Sequence, residues 1–228
     1  LLVPVNQFQI TQRAPEGMVY FPHDTYVEGP TAARNQTLLY VSYWDKGLRI
    51  VDFSDPAKAP LPELQGFTEF GPSSLNAIHF ARPFDEPIAG LHVTVTEPEV
   101  VAADETGQIT FLDTTDLSRP PQKLGHWKLP PGHSGDLFVS NLDFSPHNFD
   151  VWDGKVALAH YHAGLWVIDV SDEDNLRSPR SVAFTMEVKE RQDNTRMQPW
   201  FWGVLEHDGL LYASDEGTGL YVYRYTGP

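Results

Sequence analysis

The sequence predicts an all-β fold, a β-propeller of four-stranded antiparallel blades. One segment recurs four times, the recurrences are nearly evenly spaced, and each is built from short alternating apolar runs separated by tight turns. The copies read YVSYWDKGLRIVDFSD from Tyr40, AADETGQITFLDTTD from Ala102, ALAHYHAGLWVIDVSD from Ala157 and LYASDEGTGLYVYRYTG from Leu211. Aligned on Gly47, Gln108, Gly164 and Gly219, they are 61, 56 and 55 residues apart.

Each copy reads as a strand, a turn and a second strand, because Val, Ile, Leu, Phe, Tyr and Thr alternate with period two. Upstream lies a further alternating stretch: HDTYVEG from His23, LHVTVTEPE from Leu91, HNFDVWDG from His147 and WGVLEHDG from Trp202. Downstream of the first three lie LQGFTEF, KLGHWKL and SVAFTMEV. No helix is expected, since Asp55-Pro56, Ser145-Pro146 and Ser178-Pro179 bias the chain toward extended and turn conformations. A lone meander of this length cannot bury both faces, and radial packing of the copies is the arrangement that leaves few exposed edges. The blades are placed at about 18–70, 71–130, 131–190 and 197–228, the last completed by the strand-like VNQFQI (Val5 to Ile10) within residues 1–10. The four repeats fit either a closed ring or part of a larger one with further blades, and the opening Leu-Leu-Val reads as a processed or partial product. The segments Gly71 to Gly90 and Gly132 to Pro146 are long for propeller loops and are expected to carry extra hairpins or to cover a face.

The composition narrows the function. The 228 residues hold 16 Lys+Arg against 31 Asp+Glu, a formal charge of −15, which repels nucleic acid. The least polar stretch, Val156 to Ile168, is broken by His160 and His162 and falls short of the roughly 20 residues of a membrane helix. With no cysteine, disulfides, thiolate nucleophiles and Cys-based zinc sites are excluded. No Gly-x-Ser-x-Gly elbow and no HExxH pair occurs, so no catalytic residue is assigned.

The runs LRIVDFSD (Leu48 to Asp55), LWVIDVSD (Leu165 to Asp172) and, more loosely, ITFLDTTD (Ile109 to Asp116) resemble the LVIVD repeat of bacterial and archaeal surface propellers. The stretch from His147 to Asp172 also resembles the related choice-of-anchor propellers. The resemblance implies a propeller in an extracellular, cell-surface or periplasmic setting, and little chemistry. Recurrence of Asp52, Asp113 and Asp169 at strand ends points to a structural role, and Arg224 departs from that pattern in the last copy.

Inner strands of a propeller converge on its axis, where ligands are commonly held. That places His23, His92, His147 and Trp202 near the axis, beside the second-strand positions Tyr43, Asp104, His160 and Asp215. Imidazoles among carboxylates form a candidate site for a divalent metal, copper, zinc or calcium, with His23, His92, His147 and His160 as ligands. The same groups can instead satisfy one another and trapped water in a plugged channel. Trp200 and Trp202, with Tyr43, Asp104 and Asp215, form a candidate ligand-binding set, although core packing explains many such aromatics and Trp166 reads as core. Two functions follow: an exported binding or scaffold module for a protein or glycan partner, and a metal-dependent oxidoreductase or lyase with a His-lined channel.

Overall fold

The computed structural model describes residues 3–8, 12–32, 34–58, 60–68, 77–99, 107–133, 144–186, 189–190 and 196–227. The first antiparallel sheet is a meander of β1 (Asp24–Glu28), β2 (Leu38–Ser42), β3 (Leu48–Asp52) and β4 (Glu63–Phe67). The second is β5 (Ile78–Pro83), β6 (Val93–Pro98), β7 (Ile109–Asp113) and β8 (Gln122–Trp127). The third is β9 (Phe149–Trp152), β10 (Lys155–Ala159), β11 (Leu165–Asp169) and β12 (Arg180–Thr185). A small pair, β13 (Lys189–Glu190) and β14 (Arg196–Met197), leads to the fourth: β15 (Phe201–His207), β16 (Leu210–Asp215) and β17 (Gly219–Arg224). Four such sheets in series make a four-bladed β-propeller, as the repeats predict.

The blades are copies in detail. In the first three, the pairing of third and fourth strands slips by one residue at the same place, between Ile50 and Val51, Phe111 and Leu112, and Val167 and Ile168. Asp52, Asp113 and Asp169 each accept a hydrogen bond from the backbone N–H two residues on, at 2.9, 2.9 and 3.0 Å. These Asx turns end the third strands and account for the recurring acid. Apolar layers lie between neighbours. Leu38, Tyr40 and Ile50 meet Ala81 and Leu112 between blades one and two. Val95, Phe111 and Trp127 meet Leu158, Trp166 and Ile168 between two and three. Ala157, Leu165 and Val167 meet Phe201, Leu211 and Ala213 between three and four.

Three local features differ from expectation. A five-residue helix, α1 (Glu173–Arg177), follows β11, capped by the Asp172 side chain accepting from Asn175 N at 2.8 Å and ended before Pro179. Within Gly71 to Gly90, described from residue 77, the hairpin agrees with expectation, Ile88 and Leu91 exchanging backbone hydrogen bonds at 2.9 Å, and the difference is that the segment also supplies the inner strand β5. Finally, residues 3–8 form no strand against β17: Phe8 packs on Val41, Tyr43, Val51 and Leu61 of the first blade, and Asn6 bonds the Lys58 carbonyl. Partial burial of Phe8 against that cluster holds this segment at the first blade, while Gln9 and Ile10 lie outside the described residues. Among the described residues no helix is long and apolar enough to cross a membrane.

Candidate metal centre

Equivalent positions at the start of the four inner strands are His23, His79, His147 and Trp202. Their rings form a continuous row: centroids lie 4.3 Å apart from His23 to His79, 4.3 Å from His79 to His147 and 4.9 Å from His147 to Trp202. Glu99 lies just past β6, tied beside the row by its backbone N–H to the Ala77 carbonyl at 3.1 Å. One ligand atom each from His23, His79 and Glu99 lies within 4.8 Å of the others. His79 is buried, Glu99 half-buried and His23 exposed, so the cluster opens to solvent on the His23 side.

The imidazoles are oriented from behind. Glu97 Oε1 lies 2.6 Å from His79 Nδ1, which leaves Nε2 facing the cluster, 3.9 Å from Glu99 Oε2. Glu97 is fully buried, and its Oε2 has no hydrogen-bond partner among the described residues. His147 Nδ1 is held by the Trp202 carbonyl, and the Tyr161 hydroxyl donates to Glu99 Oε1. A carboxylate or carbonyl behind an imidazole is the usual outer support of a metal ligand, because it fixes the tautomer and raises the basicity of the other nitrogen.

The charges respond accordingly. Burial pulls His79 down, but Glu97 and Glu99 outweigh it and hold His79 above its ordinary value. Burial pushes Glu97 up to about 7 against the opposing pull of His79. His147 falls to about 4 through burial and the neighbouring His79 charge, and His23 is lowered by the same two causes.

Two turns wall the cluster with aromatics. Trp44 and Tyr161 occupy equivalent β2–β3 and β10–β11 turns, both at positive φ (41° and 32°), a strained conformation for large side chains. Each also bridges to the next blade, through Ile78 N to the Trp44 carbonyl and Phe201 N to the Tyr161 carbonyl, both 3.2 Å. The Trp44 ring thereby lies 5.1 Å from His23 and the Tyr161 ring 4.9 Å from His147. Phe21 stacks on Trp44 at 5.1 Å, and Trp200 lies 6.0 Å from Trp202.

Of the sequence-predicted residues, His23 and His147 join this row, and Trp202 ends it. His92 does not: it lies at the opposite end of the blade, between Glu28 Oε1 (2.6 Å from Nε2) and Thr114 Oγ1 (3.0 Å from Nδ1). His160 is fully buried edge-on to Trp127, 6.0 Å away. Tyr43 packs into the first blade's outer core. Asp215 accepts from Trp200 N at 2.6 Å and Thr218 N at 2.8 Å, shaping the entry and turn of the last blade. Trp200 stacks on His162 at 5.3 Å, and Asp104 lies outside the described residues. Sequence reasoning missed His79, Glu97, Glu99 and Tyr161. The available signal was the His79-Phe80 pair, which parallels His147-Asn148-Phe149.

A family profile for the LVIVD repeat matches residues 38–63, from the start of β2 to the start of β4. This part of the first blade is similar to the LVIVD repeat. The LVIVD stretch thus supplies the Trp44 turn beside His23. No curated protein matches the chain. Among solved structures, the computationally designed Ika4 protein is similar with a TM-score of 0.52 at 9% identity, covering 94% of this chain and 99% of that one. The computationally designed Ika8 protein gives a TM-score of 0.39 at 9% identity, covering 87% of this chain and 57% of that one. At such identity the Ika4 likeness concerns the fold alone.

Proposed function

We propose that this propeller binds a divalent d-block cation at its axial mouth, on His23, His79 and Glu99, and acts on its ligand through that cation. The observation that carries this reading is the convergence of three ligand atoms, from the entries of two blades and the end of β6, within 4.8 Å. Two imidazoles and one carboxylate suit zinc or ferrous iron, whereas calcium takes six to eight oxygens. Such a set leaves coordination positions free for water or substrate, where a cation acts as a Lewis acid or activates water. Metal-dependent enzyme chemistry is therefore preferred over a purely structural ion.

The test is stoichiometry with cobalt(II), whose visible bands report its coordination, and with zinc. Wild type is expected to bind one equivalent, with bands typical of mixed N/O ligands, and His79→Ala to retain under a tenth of it. No binding by wild type, or equal binding by His79→Ala, contradicts the proposal.

The second reading is an exported or surface module that presents this mouth to a protein or glycan. Its support is the exposure of Trp202 (39%) and Phe21 (38%), at or beside the two ends of the histidine row, together with the strongly acidic composition. Exposed aromatics of this kind anchor sugars and partner proteins. Glycan-array binding lost in Trp202→Ala, and recovery of the native protein from the periplasm or cell surface, are its expected results.

A further inference from the structure

The β2–β3 and β10–β11 turns are copies down to their backbone strain. Trp44 and Tyr161 stand three residues before Gly47 and Gly164, both at positive φ, and the carbonyl of each accepts a hydrogen bond from the next blade. Trp44 performs that main-chain task without a hydroxyl, so the turn does not account for the hydroxyl of its counterpart. The Tyr161 ring is buried and packed on two sides, 4.9 Å from the His147 ring and 5.5 Å from the Trp202 ring, which fixes the direction of its oxygen. That direction leads across the junction of blades two and three to Glu99 Oε1.

Glu99 has its backbone N–H tied to the Ala77 carbonyl at 3.1 Å, and its two side-chain oxygens have different surroundings. Oε1 accepts from the Tyr161 hydroxyl, whereas Oε2 lies 3.9 Å from His79 Nε2, on the side of the ligand cluster. A carboxylate can bind a cation through one oxygen or through both. A hydroxyl donating to one oxygen favours the other as the ligand atom, which is how outer partners commonly orient metal ligands.

We propose that Tyr161 is a positioning residue that holds Glu99 as a one-oxygen ligand, a role that rests on the cation site proposed for His23, His79 and Glu99. One atom from each of these three residues leaves a four-coordinate ion one place for water or substrate, open on the exposed His23 side. If both Glu99 oxygens bound the ion, the protein itself would fill that place.

The experiment compares the cobalt(II) forms of the full-length wild type and Tyr161→Phe, which keeps the ring and removes the hydroxyl. Visible absorption per bound ion is intense for four-coordinate cobalt(II) and weak at higher coordination, and it is expected to fall about twofold or more in Tyr161→Phe. A merely structural contact would change stability and leave that intensity unmoved. Where Tyr161→Phe does not fold, zinc-bound crystals of the wild type decide. There Glu99 Oε2 is expected on the ion at about 2.0–2.2 Å, with Oε1 still bonded to the Tyr161 hydroxyl. Equal intensity per bound cobalt in a folded Tyr161→Phe, or both Glu99 oxygens on zinc in the wild type, overturns the role of Tyr161 and leaves the metal site standing. No cobalt uptake by the wild type overturns the metal site and the role of Tyr161 together.

Discussion

Glu97→Gln isolates the support behind the metal centre, because it keeps the side-chain shape and removes the charge. In the native site Glu97 Oε1 is 2.6 Å from His79 Nδ1, so the proton resides on Nδ1 and the Nε2 lone pair faces the cluster. A glutamine can offer its oxygen to Nδ1, but a neutral hydrogen bond contributes about 0.5–1.5 kcal/mol where a charged one contributes about 1.5–3. Its NH₂ can also donate to Nδ1, which moves the imidazole proton to Nε2 and blocks the ligand atom. The difference of roughly 1–2 kcal/mol corresponds to about 5- to 30-fold weaker metal binding, in line with the 10- to 100-fold typical of outer-partner mutations. The same difference bounds the stability loss of the metal-free chain at about 1–2 kcal/mol, because burial, which pushes Glu97 up to about 7, already opposes its charge. The assay is zinc competition against a chelator near pH 7.5, with ¹⁵N NMR of the His79 ring to read the tautomer. Unchanged affinity together with an unchanged tautomer refutes the role assigned to Glu97.

Further outcomes test the packing and the charges. Ile168, fully buried between blades two and three, should not tolerate Asp: an unpaired buried charge costs about 3–5 kcal/mol, against a total stability of about 5–15, and Ile168→Asp should lose its cooperative melt. Gly164→Ala should cost about 2 kcal/mol or more in urea unfolding, because the residue has φ +85° and a Cβ would lie 2.0 Å from the Thr185 carbonyl oxygen; an unchanged midpoint contradicts this. His147, at about 4 folded and 6.5 unfolded, should contribute stability present above pH 6.5 and lost as pH falls toward 4, about 3 kcal/mol in full. The difference between wild type and His147→Gln across that window measures it, and a flat difference contradicts the burial of a neutral imidazole.

Much of the fold is legible because the third strands recur with their Asp-terminated turns, and a turn that depends on one carboxylate leaves that carboxylate in each of the first three copies. The site was only half legible. His23 and His147 stand at the head of inner strands, where the repeat spacing points to them. His79 is hidden because Leu91 to Glu99 alternates more regularly than Ile78–Pro83 and reads as the inner strand of its blade. Thr94 and Thr96 in β6 mimic a wet face, yet every residue of β6 is buried, with Thr94 hydrogen-bonded to Thr114 at 2.8 Å. Periodicity cannot separate a solvated polar face from a buried, internally satisfied one. Glu97 and Glu99 flank Pro98 and read locally as loop acids, and only the approach of His79 from a neighbouring strand gives them a role. The helix α1 is too short for periodicity to reveal, and its cap, Asp172, resembles the other turn aspartates.

The most direct measurement is anomalous diffraction from crystals of the full chain grown with zinc, recorded on both sides of the zinc absorption edge. One strong peak is expected within bonding distance, about 2.0–2.2 Å, of His23, His79 and Glu99. A peak placed instead at His92 or His160, or no peak at the axial mouth, contradicts it.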